Sequence, residues 1–137
     1  MVSKLMHVTP SKCTVCRNCE LACAFSHMHG GKPTAARIRA FADDQQREGH
    51  HAVVVCMQCE EAGCVKACPA HALWRNPETG AIYHVEARCI RCQSCVAGCP
   101  FGNMRWEAAM EFPTKCDLCD GDPVCVKFCP TGALEHR

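Results

Sequence analysis

Sixteen of the 137 residues are cysteine, and they fall into four groups of four. Each group, called a quartet below, begins with the spacing C-x2-C and ends with C-x3-C. In chain order the quartets are Cys13, Cys16, Cys19, Cys23; Cys56, Cys59, Cys64, Cys68; Cys89, Cys92, Cys95, Cys99; and Cys116, Cys119, Cys125, Cys129. No cysteine lies outside a quartet. Because grouped thiolates are ligands for soft metals, the sequence predicts metal sites.

The third quartet has the full spacing C-x2-C-x2-C-x3-C and is followed by Pro100. This run is typical of loops that bind 4Fe-4S clusters, in which the fourth cysteine serves a different cluster from the first three. The second and fourth quartets widen the middle gap to four and five residues, and the first has no proline after its last cysteine. We therefore predict that all sixteen cysteines are iron ligands and that the chain holds four 4Fe-4S clusters.

Zinc is the main alternative metal. Structural zinc sites use four cysteines drawn from two separated C-x2-C pairs, whereas here each C-x2-C is followed at once by C-x3-C. Disulfides belong mainly to exported proteins, and the N-terminal MVSKLMHVTPSKC has no apolar export signal. A zinc-binding interaction module stays open as the alternative from another functional class.

Charge and composition exclude several other functions. The net charge is +1, with 15 basic and 14 acidic residues, which is unlike the basic surface of a nucleic-acid-binding protein. No segment has the uninterrupted apolar length of a membrane span, and the lack of an export signal predicts a cytoplasmic protein. Gly30-Gly31 lacks the rest of a nucleotide-binding fingerprint. With every cysteine assigned as a ligand and no catalytic triad in view, we predict a protein that is not itself an enzyme.

The elements that position the quartets are short. Each quartet predicts a loop followed by one short helix, because C-x3-C places two thiols one helical turn apart. The first helix is expected to continue towards His27. The predicted strand pairs are Leu5–Val8 with Ala133–His136, Arg37–Phe41 with His51–Val55 across Asp43–Gly49, and Ala72–Arg75 with Ala81–Val85. Together these elements predict an α+β fold with short helices and β-hairpins.

Histidines and glycines between the quartets have less specific roles. Exposed loop positions are expected for His27, His29, His50 and His51, since the cysteines already complete the ligand count. Glycines close to ligands suit a close approach of the backbone to an inorganic core. These glycines are Gly63, Gly98, Gly102, Gly121 and Gly132, with an ordinary turn favoured at Gly121.

The four quartets resemble those of the four-cluster ferredoxin-type subunits of molybdenum and tungsten oxidoreductases, carbon monoxide dehydrogenases and some hydrogenases. The resemblance extends from Cys13 to Cys129. Within that group, the opening KCTVCRNCELACAF and the ARIRAF segment are similar to the small iron–sulfur subunit of tungsten aldehyde oxidoreductases. The resemblance implies one domain, residues 1–137, built of two interlaced bacterial-ferredoxin-like units. The outer half would comprise residues 1–35 and 105–137, and the inner half residues 50–104.

The resemblance also implies a crossed set of ligands for the four clusters. The implied sets are Cys13, Cys16, Cys19 with Cys129; Cys116, Cys119, Cys125 with Cys23; Cys56, Cys59, Cys64 with Cys99; and Cys89, Cys92, Cys95 with Cys68. Spacing alone indicates only that the fourth cysteine of a quartet serves another cluster.

The function implied is electron transfer between a catalytic subunit and another redox partner. The catalytic subunit would be of the aldehyde oxidoreductase, formate dehydrogenase or carbon monoxide dehydrogenase type, with a tungsten or molybdenum cofactor. The second partner would be a flavin-containing protein or a ferredoxin. A free polyferredoxin that shuttles between enzymes is the alternative, and end-to-end self-association also stays open. In each case the clusters would replace an apolar core, so the apo chain is expected to be unfolded.

Overall fold

The computed structural model describes residues 4–43, 45 and 51–137. Its elements are short helices and short antiparallel strands, which confirms the predicted α+β class. The helices are α1 (Asn18–Ser26), α2 (Gly63–Ala67), α3 (Ser94–Ala97) and α4 (Val124–Lys127), with 3-10 turns at Pro10–Lys12, Glu86–Arg88 and Leu118–Gly121. The strands are β1 (Met6–Val8), β2 (Arg39–Phe41), β3 (Ala52–Val54), β4 (Leu73–Arg75), β5 (Ile82–His84), β6 (Arg105–Glu107), β7 (Phe112–Thr114) and β8 (Leu134–His136).

All three predicted strand pairs form, each a residue or two shorter than the sequence suggests. β1 and β8 pair antiparallel, with Met6 opposite His136, so the two ends of the described chain lie side by side. β2 pairs with β3, and β4 pairs with β5. Most of the predicted connection across Asp43–Gly49, and His50 with it, lies outside the described residues.

A fourth strand pair, the hairpin of β6 with β7, was not predicted from the sequence. Pro113 occupies the middle of β7, opposite Trp106, and a proline argues against a strand because it cannot donate to the ladder. This sheet has only two strands, so the missing N–H can lie on the unpaired side. The hairpin brings Thr114, which is 1% exposed, and the residues after it into the interior.

The helices pack in two pairs that do not follow chain order. α1 packs against α4, and α2 packs against α3. The helix of the first quartet therefore contacts the helix of the last, and the two middle quartets contact each other. As expected, α1 runs past Cys23 to Ser26, whereas α3 ends at Ala97 and leaves Cys99 beyond the helix.

Two small hydrophobic clusters form the interior, and cysteine side chains are part of both. Leu73, Ile82 and Met104 pack in one of them with Cys64 and Cys95. The other combines Ile38, Val55 and Leu134 with Cys19 and Cys23. Among the described residues no helix has the length and apolar character needed to cross a bilayer.

Candidate metal centres

The three leading cysteines of the first quartet share a cavity with a cysteine from the end of the chain. Cys13, Cys16 and Cys19 line this cavity together with Cys129, and Leu134 of β8 closes one side. Burial raises the pKa of the Cys19 thiol to about 11, and the nearby Cys129 and Cys16 add to the rise. This group of four thiols is called cavity A.

A second cavity, cavity B, gathers thiols of the fourth quartet with one from the first. Cys116, Cys119 and Cys125 line it with Cys23, and Cys56 also reaches its wall. Burial raises the pKa of the Cys116 and Cys125 thiols to about 12, and the charge of Cys23 is a further cause in both cases. The pairing of α1 with α4 is what brings Cys23 to this cavity.

In the two middle quartets, the fourth cysteine of each lies near the third cysteine of the other. Burial raises the pKa of Cys64, and the charges of Cys56 and Cys99 raise it further. For Cys95, burial raises the pKa to about 11, with contributions from Cys68 and Cys89. The remaining two, Cys59 and Cys92, differ in exposure: Cys59 packs partly buried against the interior, and Cys92 is exposed.

The chemistry of these groups fits an iron–sulfur cluster. Burial disfavours the ionised thiols, and their mutual repulsion adds to this effect, so their pKa values are raised here. A bound cation reverses that balance, because a coordinated thiol is deprotonated. Four cysteine sulfurs per site are the ligand set that a 4Fe-4S cluster requires.

One residue in each quartet, two positions after the first cysteine, has a left-handed backbone. These residues are Val15 (φ 55°), Gln58 (φ 46°), Arg91 (φ 61°) and Leu118 (φ 55°). None is glycine, and a β-branched residue such as Val15 is a rare occupant of this region. The turn brings the N–H of Val15 to 3.4 Å from Cys13 Sγ, and that of Arg91 to 3.4 Å from Cys89 Sγ. Backbone strain of about 1–3 kcal/mol per residue is characteristic of ligand-binding sites.

A second repeated turn follows the fourth cysteine of three quartets. The residue three positions later is His71 (φ 52°), Gly102 (φ 68°) or Gly132 (φ 68°). This turn directs backbone N–H groups at the preceding sulfur, as in the 3.3 Å contact between Ala72 N and Cys68 Sγ. Burial raises the pKa of Cys99, but several N–H groups, including that of Met104, outweigh it and lower the pKa.

The first quartet lacks this turn, and Cys23 is contacted instead by the His27 imidazole and by a backbone N–H from a distant residue, Arg37. His27 Nδ1 contacts Cys23 Sγ at 3.8 Å, its Nε2 lies 3.1 Å from Asp117 Oδ1, and Arg37 N donates to Cys23 Sγ at 3.2 Å. The hydrogen bond to Asp117, followed by that to Cys23, raises the pKa of His27 to about 10. The expectation of an exposed loop histidine is therefore wrong for His27, whose side chain is 15% exposed. It holds for His29, whose side chain is 54% exposed.

Two of the glycines face each other, not a thiol group. A Cβ on Gly63 would lie 2.5 Å from the Gly98 carbonyl oxygen, and a Cβ on Gly98 would lie 2.8 Å from Ala67 Cβ. These glycines therefore serve the close packing of α2 on α3. The atoms nearest to these two positions are backbone and Cβ atoms of the helix pair, so they do not support the expectation that the glycines border an inorganic core.

Repeated thiol loops and short helices with paired hairpins define a ferredoxin-type iron–sulfur protein. Residues 49–137 match the family described as 4Fe-4S dicluster domain, and the chain belongs to that family. The matched segment contains the second, third and fourth quartets, and the family description implies two clusters.

Curated relatives carry electron-transport names. The chain is 40% identical over 122 residues to the aliphatic sulfonate oxidoreductase, polyferredoxin-like subunit, of Pyrococcus furiosus, covering 89% of this chain and 69% of the relative. It is 41% identical to the putative electron transport protein YsaA of Escherichia coli, covering 91% and 83%. The chain therefore functions in electron transfer as an iron–sulfur subunit of the oxidoreductase type.

A solved structure with a similar fold is the active site complex BamBC of benzoyl coenzyme A reductase, bound to benzoyl-CoA. One chain of that complex superimposes with a TM-score of 0.53 at 27% identity, over 98% of this chain and 78% of that one. The similarity places a chain of this fold inside an oxidoreductase complex.

Proposed function

We propose that this chain relays electrons through four 4Fe-4S clusters, between a catalytic oxidoreductase subunit and a second redox partner. The observation that carries the proposal is the grouping of the thiols: Cys129 and Cys23 each line a cavity with the first three cysteines of another quartet, and Cys99 and Cys68 each lie near a cysteine of another quartet. When bound, such clusters supply one-electron transfer at potentials set by their surroundings. The chain contributes the thiolates, the N–H groups that point at them, and the packing that excludes water.

The proposed ligand sets are the crossed ones. Cavity A supports a set of Cys13, Cys16 and Cys19 with Cys129, and cavity B supports Cys116, Cys119 and Cys125 with Cys23. The two inner sets are supported by the charge of Cys99, which raises the pKa of Cys64, and by that of Cys68, which raises the pKa of Cys95. These sets are Cys56, Cys59, Cys64 with Cys99, and Cys89, Cys92, Cys95 with Cys68.

The crossed sets correspond to two interlaced halves of one domain. The outer half is proposed to comprise residues 1–35 and 105–137, and the inner half residues 50–104. Packing of α1 on α4 and of α2 on α3 supports this division.

Contacts between the proposed ligand sets support a linear order of the four clusters. Cys56 of the inner half reaches the wall of cavity B, so these two sets are neighbours in the middle of the molecule. Cys16 and Cys92 are exposed, which supports a position near the surface for the set of cavity A and for the set of Cys89. Electrons would enter at one of these ends and leave at the other.

Exposed apolar side chains lie beside both proposed ends. Leu21 and Phe25 on α1 are 59% and 55% exposed, next to the first quartet. Ile90 and Phe101, at the two sides of the third quartet, are 63% and 53% exposed. Surfaces of this kind are typical of docking sites. We assign one end to a tungsten- or molybdenum-containing catalytic subunit and the other to a flavin-containing or ferredoxin partner.

The cluster count is tested by anaerobic purification followed by iron and labile sulfide analysis. We expect about sixteen irons per chain, four for each cluster, and a brown protein. About eight irons would support a two-cluster protein, and a colourless protein with zinc would support the interaction module. Co-purification of the native protein with a large metalloenzyme distinguishes a bound subunit from a free polyferredoxin.

The crossed ligands are tested by comparing single Cys→Ser variants by EPR after reduction. Cys129→Ser is expected to change the same cluster signal as Cys16→Ser, because both residues line cavity A. Cys125→Ser, from the same quartet as Cys129, is expected to change a different signal. If Cys129→Ser and Cys125→Ser altered one common signal, ligation would be local to each quartet and the crossed scheme would be wrong.

A further inference from the structure

Lys115 is a buried lysine whose ammonium group contacts a cysteine sulfur. Its residue is 5% exposed, and Nζ donates to Cys56 Sγ at 2.9 Å and to the carbonyl oxygen of Cys116 at 2.7 Å. Among the residues that the structure describes, no carboxylate forms an ion pair with it. A buried ammonium needs a nearby negative charge to offset its loss of water. Here the sulfur of a proposed iron ligand is the group in that position.

A second buried side chain, that of Gln58, contacts the same carbonyl oxygen as Lys115. Gln58, which is 4% exposed, donates from Nε2 to the same Cys116 oxygen at 2.8 Å. Its Oε1 accepts from the N–H of Ile82 at 2.9 Å. Gln58, within the second quartet, therefore contacts the fourth quartet at Cys116. Lys115, next to the fourth quartet, contacts the second quartet at Cys56. The two central thiol sets are joined by this reciprocal pair of contacts.

In the described part of the chain, one other basic side chain contacts a cysteine sulfur: His27, whose Nδ1 lies 3.8 Å from Cys23 Sγ, against 2.9 Å between Lys115 Nζ and Cys56 Sγ. The other hydrogen bonds to cysteine sulfur among the described residues come from backbone N–H groups and from the neutral hydroxyls of Thr131 and Ser94. The shorter of the two contacts made by basic side chains belongs to Cys56, and it is made by an ammonium group, which distinguishes the set of Cys56.

We propose that Lys115 is a positioning residue that raises the reduction potential of the cluster bound by Cys56 above the value it would otherwise have. This inference rests on the proposed function, since it requires that cluster. A fixed positive charge in a dry interior favours the more negative, reduced state of a neighbouring group. Contact with the Cys116 carbonyl places the same charge between the two central clusters. Lys115 would thus stabilise an electron at the junction of the inner and outer halves.

The experiment compares Lys115→Met and Lys115→Gln with Lys115→Arg. Iron is counted first, and the four potentials are then measured by anaerobic redox titration with EPR detection. We expect full iron in each variant. In Lys115→Met and Lys115→Gln one potential should shift most strongly to more negative values and that of the other central cluster less, with smaller shifts in Lys115→Arg. Lys66→Met is the matched control. Lys66 lies between Cys64 and Cys68, but its 65% exposed side chain pairs with Glu61 in solvent, so no potential should move.

The other possible outcomes contradict either the role of Lys115 or the proposed function. Full iron with four unchanged potentials, or equal shifts in Lys66→Met, would refute the role of Lys115 and leave the proposed function intact. Loss of iron in both neutral variants would make Lys115 a purely structural residue and also refute the inference. Wild-type protein with fewer than four clusters would instead refute the proposed function.

Discussion

Most contacts to sulfur in the described residues come from backbone N–H groups, and at Cys23 an imidazole is added to one of these. Where the other quartets have a left-handed turn after the fourth cysteine, Cys23 has His27 and Arg37. The imidazole also links α1 to Asp117, ninety positions later in the chain. His27 therefore replaces a missing turn and ties the first quartet to the fourth.

Replacing His27 with Ala is expected to weaken the outer half. The change leaves the half-buried Asp117 carboxylate without its imidazole partner, and losses of this kind cost about 1–3 kcal/mol. The expected result is a lower urea midpoint for bleaching of the cluster absorbance under anaerobic conditions. His29→Ala is the control, because its 3.9 Å pair with Glu86 is exposed. Equal midpoints for the two variants would show that the His27 contacts contribute nothing to stability.

At the scale of elements, the inner helix pair packs more tightly than side chains normally allow. Gly63 and Gly98 let α2 and α3 approach until backbone and Cβ atoms touch. Both glycines have ordinary negative φ values, since neither is among the positive-φ residues. Space, not backbone conformation, is therefore what glycine provides at these two positions.

Gly98→Ala is expected to push α2 and α3 apart. Its Cβ would lie 2.8 Å from Ala67 Cβ and 3.0 Å from the Gly63 carbonyl oxygen, contacts that require the helices to shift. Overpacking of this kind costs about 1–3 kcal/mol. We expect iron content to fall by up to half, with the loss confined to the inner clusters. Ala97→Ser, at the exposed neighbouring position, should retain full iron; a full complement in Gly98→Ala would contradict the argument.

At the scale of the whole molecule, the interior contains few large apolar side chains. Among described residues, the largest fully buried ones are Ile82, Leu118 and Thr114, and buried cysteines belong to both hydrophobic clusters. Four two-stranded sheets and short helices add little cooperative structure of their own. We therefore expect metal binding to supply much of the folding free energy.

Removing iron with an anaerobic chelator is expected to unfold the chain. The prediction is checked by far-ultraviolet circular dichroism and proton NMR dispersion before and after removal, with iron and sulfide added back to test reversal. The expected result is loss of both signals together with loss of visible absorbance. An apo chain that kept native circular dichroism and dispersed NMR signals would show that the apolar clusters suffice.

Cysteine spacing by itself determined the class of the protein, the sixteen candidate ligands and the short helices, and turn residues indicated the β2–β3 and β4–β5 hairpins. These features are local, because C-x2-C and C-x3-C specify a loop and one helical turn, and turn residues mark the hairpins. The β6–β7 hairpin was not predicted, because Pro113 in the middle of β7 argues against a strand. Only the tertiary structure decided which thiols share a cavity, that His27 is buried, and that Lys115 reaches Cys56. Those contacts join residues far apart in sequence, and their geometry depends on how the helices pack, which no local spacing encodes.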